Sequence, residues 1–341
     1  MDVFLLLFLL LCLIGVKLAP RGTLFNGDRL ERSHTVALRG LLSILIVLDH
    51  SSLLTGCGYS VIVLKRVGPY VVALFYALSS YGMLASYVKN GYSLKGYWKK
   101  RMQATIIPYL LFYAAAILIR LLIKEAVSVK EILLSFVNGH PLIPYSWFVL
   151  TIVGFYLVFY LSALLAKQDL NLLLALVSFA CFIFVFVMKK LGFEDFWFNA
   201  AWGIPLGLIW QRFYHSITSA FKRHPWVYLV LTGITALWWI IIAEHFFWFG
   251  YLARLCSTLS VAVFVLLLMC KLQIGNPVLR LLGEISLEIY LIHGLLVLIL
   301  PKLVSPTGQP YLFVGLLLGG TILCAWSFHF IYFRFIRPIK H

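Results

Sequence analysis

The chain has 341 residues, of which 62% are hydrophobic and 12% are charged, and its mean hydropathy is +0.98. Soluble domains average roughly 45–50% apolar and about 25% charged residues, so the composition excludes an ordinary soluble protein and indicates an integral membrane protein. The net charge of +16 needs no nucleic acid to explain it, because basic residues that flank membrane spans accumulate in the cytoplasm.

Long apolar runs recur along the chain, and most approach the ~20 residues that a helix needs to cross ~30 Å of hydrocarbon. The runs are continuous and do not alternate at every second residue, which favours helices over a membrane β-barrel. We therefore predict an all-α integral membrane protein with about eleven transmembrane helices. The predicted spans are residues 2–19, 36–55, 68–88, 104–123, 146–166, 170–188, 196–211, 226–243, 251–270, 285–301 and 311–333.

The first apolar run lacks the features of a cleaved signal peptide. It begins with Asp2 in place of a basic cluster, and no A-x-A cleavage site follows it. We interpret it as a retained extra helix. This interpretation divides the chain into an N-terminal helix with its linker, residues 1–32, and a ten-helix core, residues 33–341.

Most of the 28 lysines and arginines fall in alternate loops between the predicted spans. Because such residues are retained in the cytoplasm, this distribution predicts a plasma (inner) membrane protein with its N-terminus outside and its C-terminus in the cytoplasm. The six cysteines form no C-x-x-C pair, and the nine histidines show no ligand-like spacing. No disulfide framework and no metal site are therefore expected.

The second predicted span, ALRGLLSILIVLDHSS from Ala37 to Ser52, carries ionisable residues near both ends. Arg39 and His50 differ by about 20° in azimuth and about 16 Å in height on a helix, so they share one face. Asp49 projects about 100° away from His50. Ionisable groups at such depth by default face the bundle interior and mark a pathway or site. Snorkelling of Arg39 to the interface, or a histidine that only bridges two helices, would also account for the pattern.

A second polar stripe lies in the late segment GEISLEIYLIH, residues 283–293. Ser286, Tyr290 and His293 share a helix face, whereas Glu288 lies about 140° from His293, so no direct Glu288–His293 dyad is expected. Glu288 falls at the depth of Arg39. We predict an ion pair between these two residues that tethers their helices or shapes the entrance to a site.

Five segments follow one another in a recognisable order. They are RGLLSILIVLDH (39–50), LFYALSSYGM (74–83), YWKKRMQATIIPY (97–109), SWFVL (146–150) and GEISLEIYLIH (283–293). As a set they resemble the motifs of the acyltransferase type-3 family of multi-pass membrane enzymes, over nearly all of the core. Ser80 departs from the glycine usual in that family. Met102 and Thr105 stand where a pair of arginines would precede the proline.

The resemblance implies an enzyme that moves an acyl group, with acetyl expected, from cytoplasmic acyl-coenzyme A to a hydroxyl of a sugar or cell-envelope glycan. Histidine is the side chain whose ordinary pKa lies closest to working pH, so His50 is the expected general base, assisted by Arg39. The expected donor-binding residues are Lys99, Lys100 and Arg101. The expected substrate-binding residues are Ser79, Trp147, Glu288, Tyr290 and His293. The expected partners are the lipid bilayer, acyl-coenzyme A and the hydroxyl-bearing acceptor, without metal or nucleic acid.

Two other functions fit a polar stripe inside a membrane bundle. In a transporter or flippase for a sugar or lipid-linked glycan, Arg39, His50 and Glu288 would belong to a substrate or proton path. The two halves of the chain show no matching Gly- or Pro-broken helices, which are typical of inverted-repeat transporters. The other alternative is an inactive scaffold that retains the fold.

Overall fold

The computed structural model describes residues 2–19, 25–26, 30, 32–56, 67–125, 127–239 and 250–336. These residues fold almost entirely into helices, and eight helices are long and apolar enough to cross a membrane. The predicted class, a multi-pass all-α membrane protein, is confirmed. The predicted count of about eleven spans is not reached in the described ranges.

The elements follow one another in this order: α1 (Asp2–Leu13), β1 (Val16–Leu18), α2 (Arg32–Thr55), α3 (Val67–Lys89), α4 (Tyr97–Arg101), α5 (Ile107–Leu122), α6 (Val129–Leu134), α7 (Trp147–Ala166), α8 (Leu170–Lys190), α9 (Gly203–Arg223), α10 (Pro225–Leu237), α11 (Tyr251–Lys271), β2 (Leu272–Ile274), α12 (Pro277–Glu284), α13 (Ser286–Leu303) and α14 (Pro310–Ile331). A π-helical turn, Met102–Ile106, joins α4 to α5, so that Tyr97–Leu122 forms one span. A second π-helical turn, Tyr332–Ile336, extends α14.

The N-terminal segment differs from its prediction as a single crossing helix over residues 2–19. Helix α1 has 12 residues and measures about 18 Å, well short of the hydrocarbon thickness. Gly15, at a φ of 78°, ends the helical path, and β1 then pairs antiparallel with β2, with Val16 opposite Ile274. This pairing satisfies backbone groups that a longer helix would have satisfied internally.

The predicted spans 196–211 and 226–243 also change. The first begins with a 3₁₀ turn, Asp195–Trp197, and its helix α9 runs from Gly203 to Arg223. The predicted span ends at Gln211, but the helix continues to Arg223, and Tyr214, Thr218 and Phe221 in this extension are buried. Helix α10 ends at Leu237, and the rest of its predicted span beyond residue 239 lies outside the described residues.

Helix α2 lies at the centre of the bundle and packs against α3, α12, α13 and α14. Its closest approach is to α12, where both helices use glycine. A methyl group at Gly40 would overlap the carbonyl oxygen of Leu279, and one at Gly283 would overlap the carbonyl oxygen of Val36. Small residues let helix backbones approach closely in membranes, so these two glycines set the position of α2 and of the side chains that it carries.

We expect Gly40→Ala to lower the free energy of unfolding by about 1–3 kcal/mol, because the added methyl group must push two backbones apart. The matched control is Gly154→Ala on α7, where the methyl group would meet nothing within 4 Å. That change should be neutral or stabilise the helix by up to about 1 kcal/mol. Thermal unfolding of the purified protein in detergent measures both, and equal midpoints for the two variants would contradict the interpretation.

Candidate active site

Helices α2 and α13 bring two buried histidines together. His50 Nδ1 and His293 Nε2 are 2.7 Å apart, and His293 Nδ1 lies 3.3 Å from the carbonyl oxygen of Ile289, one turn earlier in α13. A carbonyl oxygen only accepts, so we assign the proton of neutral His293 to Nδ1, and His293 Nε2 then accepts from His50 Nδ1. This hydrogen-bond pattern leaves the lone pair of His50 on Nε2.

The aromatic ring of Tyr145 covers one face of His50. The two ring centroids are 3.7 Å apart and the planes are tilted by 11°. Tyr145 has a φ of 66°, a left-handed conformation that is uncommon for a bulky residue and that its surroundings must hold in place. Its carbonyl oxygen accepts a hydrogen bond from the Tyr290 hydroxyl. A methyl group at Gly294 would overlap the carbonyl oxygen of Pro144, so the loop is seated directly on α13.

A buried carboxylate lies next to the same imidazole. Asp49 Oδ1 accepts a hydrogen bond from the backbone N–H of Gly68 at 3.0 Å, in the first turn of α3. Asp49 Oδ2 lies 3.9 Å from His50 Nε2, which is too far for a hydrogen bond but close enough for a strong electrostatic interaction. The sequence analysis did not include Asp49 among the site residues, because helical geometry alone directs its side chain away from His50.

The loop that carries Tyr145 is tied to the neighbouring helices by an ionic network. Arg120 donates to the carbonyl oxygen of Leu142 at 3.0 Å and to Glu125 at 2.7 Å. Lys302, near the end of α13, donates to the other oxygen of Glu125 at 3.1 Å. The connection between α5 and α7 contains the short helix α6, and this network holds it at Glu125 and at Leu142.

The basic residues form a second cluster, where α3 ends and α4 begins. The guanidinium of Arg101 lies 5.2 Å from the ring centroid of Tyr97 and 4.9 Å from that of Tyr156, and its buried Nε atom has no hydrogen-bond partner within the described residues. A small recess opens here. It is lined by Met83, Ser86, Tyr87, Asn90, Ser93, Leu94, Lys95, Tyr97, Lys100 and Arg101.

Arg39 on α2 contacts α3, the helix whose later residues line this recess. It is half-buried, and its Nη2 atom makes one long hydrogen bond, 3.4 Å, to the carbonyl oxygen of Leu78. Arg39 lies within electrostatic range of Arg101, so the two like charges repel each other. An anionic ligand bound between them would relieve that repulsion. The rise along α2 separates Arg39 from His50 by about 16 Å.

A family model for the acyltransferase domain of type-3 acyltransferases matches residues 37–330. The chain belongs to the acyltransferase type-3 family. The match covers every residue of the histidine pair and of the basic recess, and it leaves α1 and β1 outside. No curated protein and no solved structure matches the chain. Family membership makes the protein a membrane acyltransferase at the general level, and the resemblance drawn from the motifs is confirmed.

In this acyltransferase the predicted ion pair between Arg39 and Glu288 is wrong. Glu288 Oε1 lies 2.7 Å from Nδ1 of His329 in the last helix, α14. Helix α14 packs along α13 and offers this partner at the level of Glu288, whereas depth alone had pointed to Arg39. Glu288 therefore joins the last two helices. Glu288 and His293 have separate side-chain partners, His329 and His50.

The remaining predicted site residues do not all lie at the histidine pair. Tyr290 lies beside His293, with ring centroids 5.5 Å apart, and holds the Tyr145 backbone. Trp147 is buried in a separate aromatic cluster with Trp197 and the more exposed Phe196. The side chain of Ser79 is half-buried and makes no hydrogen bond to the described residues.

The donor-side lysines also differ from one another. Both Lys99 and Lys100 are exposed, but only Lys100 lines the recess with Arg101. The structure thus brings Lys100 and Arg101 to one site and leaves Lys99 outside it. Lys95, which the sequence analysis did not single out, lines the recess as well. Its position in a turn between two helices gave no periodic signal.

The hydrogen bond from Lys302, together with the charge of Arg120, holds the pKa of Glu125 below its ordinary value. A carboxylate with a lowered folded-state pKa contributes stability above its unfolded pKa of about 4.5, and this contribution disappears as the pH falls through the lower, folded-state pKa. We expect Glu125→Gln to lower the unfolding temperature at pH 7 and to differ less and less from wild type below about pH 4. The pair is partly exposed, so the effect at pH 7 should be about 1 kcal/mol or less.

The exposed Glu284→Gln serves as the control for this measurement and should match wild type at both pH values. A difference between wild type and Glu125→Gln that stays constant from pH 7 to pH 3.5 would contradict the ionic origin of the effect.

Proposed function

We propose that the protein transfers an acyl group, with acetyl as the expected case, from acyl-coenzyme A to a hydroxyl of a sugar or cell-envelope glycan. His50 acts as the general base. One observation carries this proposal: His50 Nδ1 is held by His293, so the lone pair of His50 lies on Nε2 at a buried position. A fixed tautomer next to a reacting group is what base catalysis requires.

The reaction balances without any further reactant. The acceptor hydroxyl gives its proton to His50 Nε2 while its oxygen attacks the thioester carbonyl carbon. The carbon–sulfur bond then breaks, and the departing thiolate takes the proton from the imidazolium. The products are the acyl ester and free coenzyme A, and His50 returns to its neutral state. His293 keeps the ring of His50 in place throughout, because its acceptor nitrogen always faces Nδ1.

The basic recess supports the donor half of the proposal. Coenzyme A carries several phosphate charges, and cationic side chains such as Lys95, Lys100 and Arg101 bind phosphate through charge-assisted hydrogen bonds. Arg39 precedes His50 on α2. The long arm of the donor would therefore pass Arg39 on its way from the recess to His50. We keep the predicted orientation as part of the proposal: the recess and the C-terminus face the cytoplasm, and the N-terminus lies outside.

We expect purified protein in nanodiscs to release coenzyme A from acetyl-coenzyme A when a suitable glycan acceptor is present, and His50→Ala to lower kcat by roughly 10²–10⁴-fold. His224→Ala, an exposed histidine at the end of α9, is the matched control and should retain wild-type kcat. If folded wild-type protein releases no thiol with a broad panel of acyl donors and acceptors, the enzyme proposal fails and the transporter becomes the better candidate.

We expect Arg101→Gln to raise KM for acyl-coenzyme A by roughly 10-fold or more and to leave kcat within about 3-fold of wild type, because one charged hydrogen bond contributes about 1.5–3 kcal/mol. The defect should shrink at high salt, where the phosphates are screened in both proteins. Lys222→Ala, an exposed cation outside the recess, is the control. A fall in kcat with an unchanged donor KM would contradict a donor-binding role for Arg101.

A further inference from the structure

The carboxylate of Asp49 is the feature of the histidine cluster that neither the fold nor the proposed base explains. It is only 5% exposed and lies near the end of α2 remote from the basic recess. A buried carboxylate is costly unless charges or hydrogen bonds compensate it. In its ionised form Asp49 therefore needs a compensating positive charge nearby.

The hydrogen bond that Asp49 Oδ1 accepts is explained by the beginning of α3. Oδ1 accepts from the Gly68 N–H in the first turn of α3, where the unpaired backbone N–H groups carry partial positive charge. An asparagine would satisfy the same N–H group, because Asn is as good as Asp at a helix N-terminus. The helix end thus explains the hydrogen bond of Oδ1. This hydrogen bond does not by itself require Asp49 to be charged.

The second oxygen faces the base. Oδ2 lies 3.9 Å from His50 Nε2, the nitrogen that carries the lone pair. Gly68 allows this placement, since a methyl group there would lie 2.8 Å from Oδ2. The gap is longer than a hydrogen bond, so Nε2 keeps its lone pair for the acceptor hydroxyl.

Side chains from three parts of the described structure lie against the His50 ring. His293 on α13 occupies Nδ1, the Tyr145 ring covers one face, and Asp49 approaches Nε2. Among the described residues, Asp49 is the carboxylate in this cluster, since Glu288 is paired with His329.

We propose that Asp49 is a positioning residue for this reaction, whose carboxylate stabilises the imidazolium that His50 becomes when it takes the proton of the acceptor. The inference rests on the proposed function. In this proposal Asp49 is ionised when His50 takes the proton, and the proton remains on His50 Nε2 until the departing thiolate removes it. In surroundings of low polarity, two opposite charges at this separation attract each other far more strongly than in water. Asp49 thereby favours the transition state over the neutral resting state.

The first test is Asp49→Asn, which retains the size of the side chain and an oxygen for the Gly68 N–H but removes the charge. An opposite charge at ~4–6 Å changes a proton-transfer equilibrium by roughly one to three powers of ten. We expect kcat to fall on the order of 10- to 100-fold, while KM for donor and acceptor stays within about 3-fold of wild type. A purely structural defect would change both KM values or the unfolding temperature.

The second test moves the charge without removing it. Gly68→Ala places a methyl group against Oδ2 and should displace the carboxylate from His50, so that kcat falls again. In the double variant Asp49→Asn/Gly68→Ala, no charge is left to displace. The double variant should therefore be no slower than Asp49→Asn within about 2-fold, whereas two independent defects would multiply. If Asp49→Asn proves unstable, the kcat of Gly68→Ala alone tests the role of Asp49.

The matched control is Asp169→Asn. Asp169 likewise caps a helix, accepting from the backbone N–H groups of Asn171 and Leu172 at the start of α8, but it lies on the exposed surface. It should leave kcat unchanged. Wild-type kcat in Asp49→Asn, or a defect confined to KM, would overturn the role of Asp49 and leave the proposed function standing. An inactive wild-type protein would overturn both.

Discussion

The hydrogen bond between His50 and His293 is the interaction on which the interior of this protein depends. It joins the central helix α2 to α13, and it satisfies two polar side chains that would otherwise be stranded in an apolar bundle. The close approach of α2 to α12 at Gly40 and Gly283 helps to set the position of the helix that carries His50. The packing of α2 beside α13 therefore determines the tautomer of His50 and the nitrogen that carries its lone pair.

Other parts of the fold support that arrangement from outside. Tyr290 holds the backbone of Tyr145, and Arg120 holds the backbone of Leu142, so that an irregular loop is fixed at two points above the histidines. Irregular backbone is tolerated near a membrane interior only where protein groups satisfy it. The strained conformation of Tyr145 is consistent with a loop that is constrained by its contacts.

The sequence predicted the parts of this structure that depend on local pattern. Uninterrupted apolar runs such as Trp147–Ala166 form spans as expected, and the period of the α-helix was sufficient to place Arg39 and His50 on one face. The strand β1 could not be foreseen, because its partner lies far along the chain. The same limit hid the contact of His293 with His50. Asp49 was missed for another reason, because ideal helical geometry directs its side chain away from His50. The assignment of Glu288 to Arg39 failed for a related reason, since depth in a membrane does not specify which neighbouring helix faces a side chain.

One consequence follows from the position of Arg39 and His50 on the single helix α2. Loops and outer helices can open or close without changing the spacing of these two residues, because the rise of one helix sets it. In the proposed reaction α2 then acts as a molecular ruler for the donor. A carrier with an arm shorter than this spacing would dock its charged end in the basic recess and still fail to present its acyl group to the base.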